Sequence, residues 1–325
     1  MIYVLFDNPS KIAFVTDAIT EPYEVMNIGG RKGPFLMKVF SCCKDTAGRV
    51  KDGDVIVCWL DLMGVLCWHL CKRKKVRIVA INILLKEKAT LKNRIYRRLY
   101  RSALKDKNLV ATVTAPEYGK YLNSFLGIDR EYELLHDAYN PEKWLQGIEE
   151  PVEPGTVFCG GRNGRDWAKV IEIAKAMPDV KFNLVMPGEV YQEFKGELDV
   201  LKNQNVRLSV DVKRGDFAKV LASSELVAMP LDSQSPSGLL VFYEATAKGK
   251  MIITSDTVTT REYFSDGRGA LCSEAVSKWT ETIRFYLDNA DKAKECNEKL
   301  NSFLMEKCSV GQFQHKLADI ISNIK

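Results

Sequence analysis

No disulfide framework can be read in this sequence. Its nine cysteines have no regular spacing, and the opening Met1-Ile-Tyr-Val-Leu-Phe6 has no basic leader. That opening predicts a first strand and not a secretory signal, so a reducing cytoplasm is the expected compartment. Histidine is scarce, at three residues, His69, His136 and His315. Cys67-Trp-His-Leu-Cys71 lacks a second ligand pair at zinc-finger spacing and is expected to pack on a buried helix. Cys42-Cys43 is read the same way. The longest apolar segment, 55–71, is broken by Asp61 and His69; a buried strand followed by a core helix explains it better than a membrane span. With no short-period repeat and no low-complexity segment, solenoid architectures fall away too.

What is present is a globular composition, 46% hydrophobic and 27% charged over 325 residues, at a length that favours two domains. Short apolar segments alternate with helix-like ones. Strands are predicted at 2–6, 23–28, 54–59, 76–83, 109–113 and 132–135, and helices at 35–50, 62–72, 90–104 and 116–125. Residues 8–20 fit neither pattern. Segment 146–155 is acidic and proline-rich, which marks a domain boundary. Alternation then restarts, with strands at 156–159, 181–186, 206–209, 226–229 and 270–272, helices at 167–176, 190–201 and 215–222, and three helical segments to the C-terminus. The fold class is therefore α/β, with Rossmann-like, doubly wound sheets in two domains, 1–150 and 151–325. A ligand cleft is expected between the carboxyl ends of the two sheets, with the last helix free to cross back to the first domain.

The second domain is organised around the stretch from Ser224 to Thr254. A buried strand ends at Pro230, a Ser/Gln/Pro loop follows, and Ser237-Gly238 opens an apolar helix from Leu239 that Gly249 closes. Glu244 is the one acid in that helix, set among Val241, Phe242 and Ala245. A carboxylate there is either desolvated at a cost or facing a ligand, and the helix start beside it is an anion site. The domain opens with Val157-Phe-Cys-Gly-Gly-Arg-Asn-Gly-Arg-Asp-Trp167, a strand running into a glycine-rich turn with two arginines. Such a turn lets phosphate approach the backbone; a plain βα turn with solvated arginines explains it equally well taken alone.

Four blocks together resemble the donor-binding domain of retaining nucleotide-sugar glycosyltransferases of the GT-B fold, glycosyltransferase family four in particular. They are Gly160-Gly-Arg-Asn-Gly-Arg-Asp166, Phe182-Asn-Leu-Val-Met-Pro-Gly188, Ser237-Gly…Glu244-Ala…Gly249-Lys, and Ser255-Asp…Glu262-Tyr-Phe-Ser-Asp-Gly-Arg-Gly269. The resemblance implies that Glu244 hydrogen-bonds the donor ribose. It also implies that Gly161 and the helix start at Ser237, Gly238 and Leu239 hold the diphosphate, and that Arg162 offsets charge on the leaving group. Trp167 stands where the family has a lysine, and Arg165 is the candidate substitute. Glu262 matches a further acid near the diphosphate loop. Pro236 stands where the family has its first motif glutamate, which faces the sugar. His136 and Asp137 fall where the family has an interdomain segment and are expected to border the cleft. The implied activity is hexosyl transfer from a nucleotide-diphosphate sugar, with no metal and no cofactor, Arg162 and Arg165 acting electrostatically. Removal of both guanidinium groups is expected to cut transfer while leaving folding intact.

Between Lys72 and Lys107 there are fourteen Lys or Arg and two acids, Glu87 and Asp106. The segment carries +12 against +5 for the whole chain, so the remainder carries −7. Leu91, Ile95, Leu99 and Ala103 form an apolar stripe whose bland explanation is packing on the sheet. The density of cations points to an anionic membrane surface, with nucleic acid ranked lower because no recognisable nucleic-acid module accompanies it. The expected protein is thus cytoplasmic and peripheral at the inner face of the plasma membrane, with a glycan or lipid-linked acceptor in surface-polysaccharide assembly. Its rivals are a non-catalytic GT-B partner of another transferase and a nucleic-acid-binding protein.

Overall fold

The computed structural model describes residues 1–7, 12–85, 87–145 and 150–324. The chain divides into two compact units, Met1–Ala138 with Lys307–Lys325, and Tyr139–Glu306. The first unit contains β1 (Ile2–Phe6), α1 (Ile12–Thr16), β2 (Tyr23–Asn27), α2 (Phe35–Arg49), β3 (Val55–Cys58), α3 (Asp61–Leu70), β4 (Arg77–Ala80), α4 (Leu91–Leu104), β5 (Leu109–Val113), α5 (Pro116–Leu126) and β6 (Glu133–Leu134). Its six strands are parallel in the order β2-β1-β3-β4-β5-β6. Strands such as Ile2–Phe6 and Val55–Cys58 are buried along their whole length, because helices cover both faces of a parallel sheet.

The second unit runs through α6 (Pro141–Leu145), β7 (Glu153–Gly160), α7 (Trp167–Ala176), β8 (Lys181–Met186), α8 (Gly188–Glu193), α9 (Lys195–Lys202), β9 (Val206–Val210), α10 (Arg214–Ser223) and β10 (Ser224–Met229). It continues through α11 (Leu239–Ala247), β11 (Met251–Ser255), α12 (Thr260–Phe264), β12 (Ala270–Cys272), α13 (Val276–Asp288) and α14 (Ala290–Lys307). Its sheet is also parallel, in the order β12-β11-β10-β7-β8-β9. Strand order reverses between β7 and β10. In open α/β sheets the crevice at the carboxyl ends of two such strands is where ligands bind.

Several expectations shift. The chain enters its second unit at Tyr139, before the proline-rich segment, because Tyr139 is buried against Tyr243 at 5.4 Å and donates to Asn301 Oδ1 at 2.7 Å. Residues 146–149 of the expected linker lie outside the described residues. Residues 153–155 begin β7, where the Gly155 amide donates to Glu225 Oε2 at 2.6 Å. The final helix, α15 (Val310–Asn323), packs in the first unit: Phe313, Leu317, Ile320 and Ile321 share a core with Val4, Val15 and Val57.

Only the second half of the stripe on α4 packs as its periodicity predicts: Ala103 is buried and Leu99 half-buried, but Leu91 is 77% and Ile95 52% exposed, while Asn93, Tyr100 and Leu104 are buried. The cause is polar. Tyr100 donates to Asp61 Oδ2 at 2.9 Å, and Asp61 also accepts from the Leu84 and Leu62 amides, each at 2.8 Å. Burial pushes the Asp61 carboxyl up to about 6 despite these three donors. The nine cysteines are free and buried. Among the described residues no helix is long and apolar enough to cross a membrane, and no cluster of His, Cys, Asp and Glu is built to hold a metal.

Candidate active site

Two loops meet at the strand-order reversal of the second sheet. The first leaves β7 as Gly161-Arg-Asn-Gly-Arg-Asp166, with Gly161 and Gly164 in the left-handed region, and ends where Asp166 caps α7 by accepting from the Lys169 amide at 3.0 Å. The second leaves β10 at Pro230 and reaches the start of α11 at Gly238, whose φ is 92°. The loops are zipped together. The Asp166 amide donates to Pro230 O at 3.0 Å, the Asp232 amide to Gly164 O at 3.2 Å, and Arg165 bridges Leu231. A Cβ on Gly164 would stand 2.5 Å from Ser237 Cβ, so only glycine allows this approach.

Arg165 lies inside that seam. It is 6% exposed, with Nε donating to Gly160 O and Nη1 to Asn163 O, each at 2.8 Å. A Cβ on Gly238 would fall 2.9 Å from Arg165 Nη1, and one on Gly161 would fall 2.6 Å from Nη2. The guanidinium therefore fills the space that both glycines leave. Desolvation lowers it to about 10, so it stays charged at neutral pH. The expectation that Arg165 could be removed without cost to folding does not survive this burial. Arg162, three residues earlier, is exposed. It borders a small, partly open pocket at the carboxyl ends of β7, β8 and β9, walled by Met186, Pro187, Asp211, Val212 and Phe217.

The serine loop is internally ordered. Ser233, Ser235 and Ser237 hydroxyls form a chain at 2.7 and 3.1 Å. Gln234 ties the loop to the segment before α12, its Oε1 accepting from the Val258 amide and its carbonyl from Thr259 Oγ1. Pro236 is buried. Gly238, Leu239 and Leu240 form the first turn of α11, where backbone N–H groups have no intrahelical acceptor. About one and a half turns further on, Glu244 is 1% exposed. It is desolvated, as its apolar setting predicts, and it is also paired, with Arg214 at the start of α10. Burial raises its carboxyl, and Arg214 then Lys248 oppose that rise.

Arg214 is the partner of Glu244 that sequence reasoning misses. It lies 30 residues before Glu244 at an ordinary helix start, and nothing in its spacing marks the partner. Glu262 sits half-buried on α12, its carbonyl accepting from Arg268 Nη2 at 2.9 Å. His136 and Asp137 belong to the first unit, where Asp137 Oδ1 accepts from Asn82 Nδ2 at 2.7 Å. One Asp-x-Asp triplet occurs in the sequence, Asp52-Gly53-Asp54. It is a turn at the amino end of β3: Asp52 accepts from the Lys75 amide, and Asp54 from the Lys51 amide and the N-terminal ammonium.

Residues 143–302 match the family glycosyl transferases group 1. The matched residues make up most of the second unit. The chain as a whole has the GT-B fold and is a glycosyltransferase. Among curated proteins none matches it in sequence. Solved structures match nearly end to end. HepE from Anabaena, in complex with UDP and glucose, is 14% identical over 99% of both chains with a TM-score of 0.70. A glycosyltransferase from Rickettsia africae is 13% identical over 99% of this chain and 98% of its own, with a TM-score of 0.72. Sucrose-phosphate synthase from Thermosynechococcus elongatus is 14% identical over the same shares, with a TM-score of 0.73. Likeness at these identities is likeness of fold.

Proposed function

We propose that this glycosyltransferase moves a hexosyl group from a nucleotide-diphosphate sugar to a glycan or lipid-linked acceptor, with retention and without metal, in surface-polysaccharide assembly. The observation that carries the reading is the seam of two loops between β7 and β10, which sets the Arg162 turn, the α11 start and Glu244 at one end of one sheet. Breaking a sugar–diphosphate bond builds negative charge on the leaving group. Arg162 and the α11 amides offset it without reorganising, Arg165 holds their loops in place, and the Glu244 carboxylate accepts ribose hydroxyls. The cavity beside Arg162 has apolar walls in Pro187, Val212 and Phe217 that suit a base. HepE holding UDP and glucose supports a nucleotide-sugar donor.

Incubation with UDP-, ADP- and GDP-sugars in EDTA, with a membrane extract as acceptor, should release one nucleoside diphosphate. Proton NMR of the product should show the donor's anomeric configuration. No release from any of these donors would overturn the nucleotide-diphosphate-sugar reading.

The same reading puts the chain at the inner face of the plasma membrane through the segment from Lys72 to Lys107, of which Lys86 lies outside the described residues. Exposed Leu91 and Ile95 are flanked by exposed Lys92, Arg94 and Arg98 on one face of α4. Apolar side chains bordered by cations suit a shallow site on anionic lipid, at about 1 kcal/mol per basic residue near the surface. The protein should cosediment with phosphatidylglycerol vesicles at low salt and be released at high salt. Equal binding to neutral vesicles would overturn this.

A further inference from the structure

Arg214 joins three elements. Its guanidinium is ion-paired with Glu244 on α11 and stands 5.1 Å from the ring centroids of both Trp144 on α6 and Phe217 on its own helix. Trp144 is fixed in turn, its carbonyl accepting from Lys248 Nζ at 2.9 Å, one helical turn beyond Glu244. The pair is lopsided: the Arg214 side chain is 56% exposed and that of Glu244 1%. Among the described residues Arg214 engages only Oε2, through Nη2, which leaves Oε1 for a hydroxyl.

We propose that Arg214 is a positioning residue for Glu244: held by the Trp144 and Phe217 rings, it fixes the carboxylate through Oε2, opposes its protonation, and leaves Oε1 to accept from the donor ribose. The inference rests on the reading of Glu244 as the ribose-binding carboxylate. A planar guanidinium suits the role, since it stacks on aromatic faces while donating in its own plane. Burial favours the neutral acid, and Arg214 is the larger opposing influence, ahead of Lys248. The other neighbours add little. From α6 come Trp144 and, on its exposed side, Glu142 and Lys143; β11, which packs against α11, has no titratable side chain. Without Arg214, a carboxyl that takes up a proton loses part of its acceptor capacity toward a diol.

The test is calorimetric titration of UDP, ADP and GDP into the full chain from about pH 5.5 to about 8.5, for wild type, Arg214→Met, Arg214→Lys and Glu244→Gln, each checked for a cooperative thermal transition. For the nucleotide that wild type binds, Arg214→Met should weaken affinity about tenfold or more at the acidic end and recover as pH rises. Arg214→Lys should stay close to wild type. A weakening equal at every pH would mean lost packing only, and tighter binding would make Arg214 a competitor for the site; either overturns the proposal, as does wild-type affinity throughout. Unchanged affinity in Glu244→Gln would instead remove the ribose reading itself, whatever Arg214 does.

Discussion

Arg162→Ala is expected to lower turnover about 10²- to 10³-fold and to leave the unfolding midpoint where it is. The two halves of this expectation come from one fact: Arg162 is exposed. Its side chain makes no hydrogen bond or ion pair among the described residues, so folding loses little when it goes, and surface changes of this kind are usually within about 0.5 kcal/mol. Under the proposed function its charge acts on the leaving diphosphate, where charge develops as the sugar departs. A loss in turnover with unchanged KM for the donor is the signature of an interaction made mainly in the transition state. If KM rose and turnover held, Arg162 would be a binding residue only. If neither moved, the turn would be an ordinary βα connection and the diphosphate assignment would fall.

Arg165→Met should behave in the opposite way, lowering the free energy of unfolding by about 2–4 kcal/mol. Methionine fills much of the same volume but donates nothing, so Gly160 O and Asn163 O lose their 2.8 Å donors in a seam that admits little water. Part of the loss is returned, because a charge whose ionisation burial opposes no longer has to be desolvated. The net effect stays destabilising, since the guanidinium also fills the space beside Gly161 and Gly238. Denaturant unfolding of the Arg165 and Arg162 variants side by side separates the roles. An Arg165→Met protein as stable as wild type but inactive would move Arg165 from scaffold to chemistry.

The places where sequence reasoning stops have physical causes. Hydrophobic period counts apolar side chains, so it aims Leu91 and Ile95 at the core along with Ala103; it cannot count the bond from Tyr100 to buried Asp61, which helps set the face that α4 buries. Composition reads Glu-Pro-Val-Glu-Pro-Gly as a linker. It carries no information on Tyr139, whose ring and hydroxyl find partners more than a hundred residues away and start the second unit earlier. The glycine turn shows two arginines of equal standing, and only folding makes one a buried tie and the other an exposed charge.

By itself the sequence determined two doubly wound sheets, because short apolar strands buried on both faces leave a signal in every segment. It marked the loops around Ser237-Gly238 and Gly160–Asp166 as candidates for a site, because glycines and a helix start are local chemistry. It also singled out Glu244, because an acid in an apolar helix is conspicuous wherever it lies. Tertiary structure alone decided that Arg214 is the partner of Glu244, that Arg165 seals the two loops while Arg162 stays exposed, and that α15 completes the core of the first unit. Those are pairings between segments far apart in the chain, set by the strand order of each sheet, and no single segment encodes them.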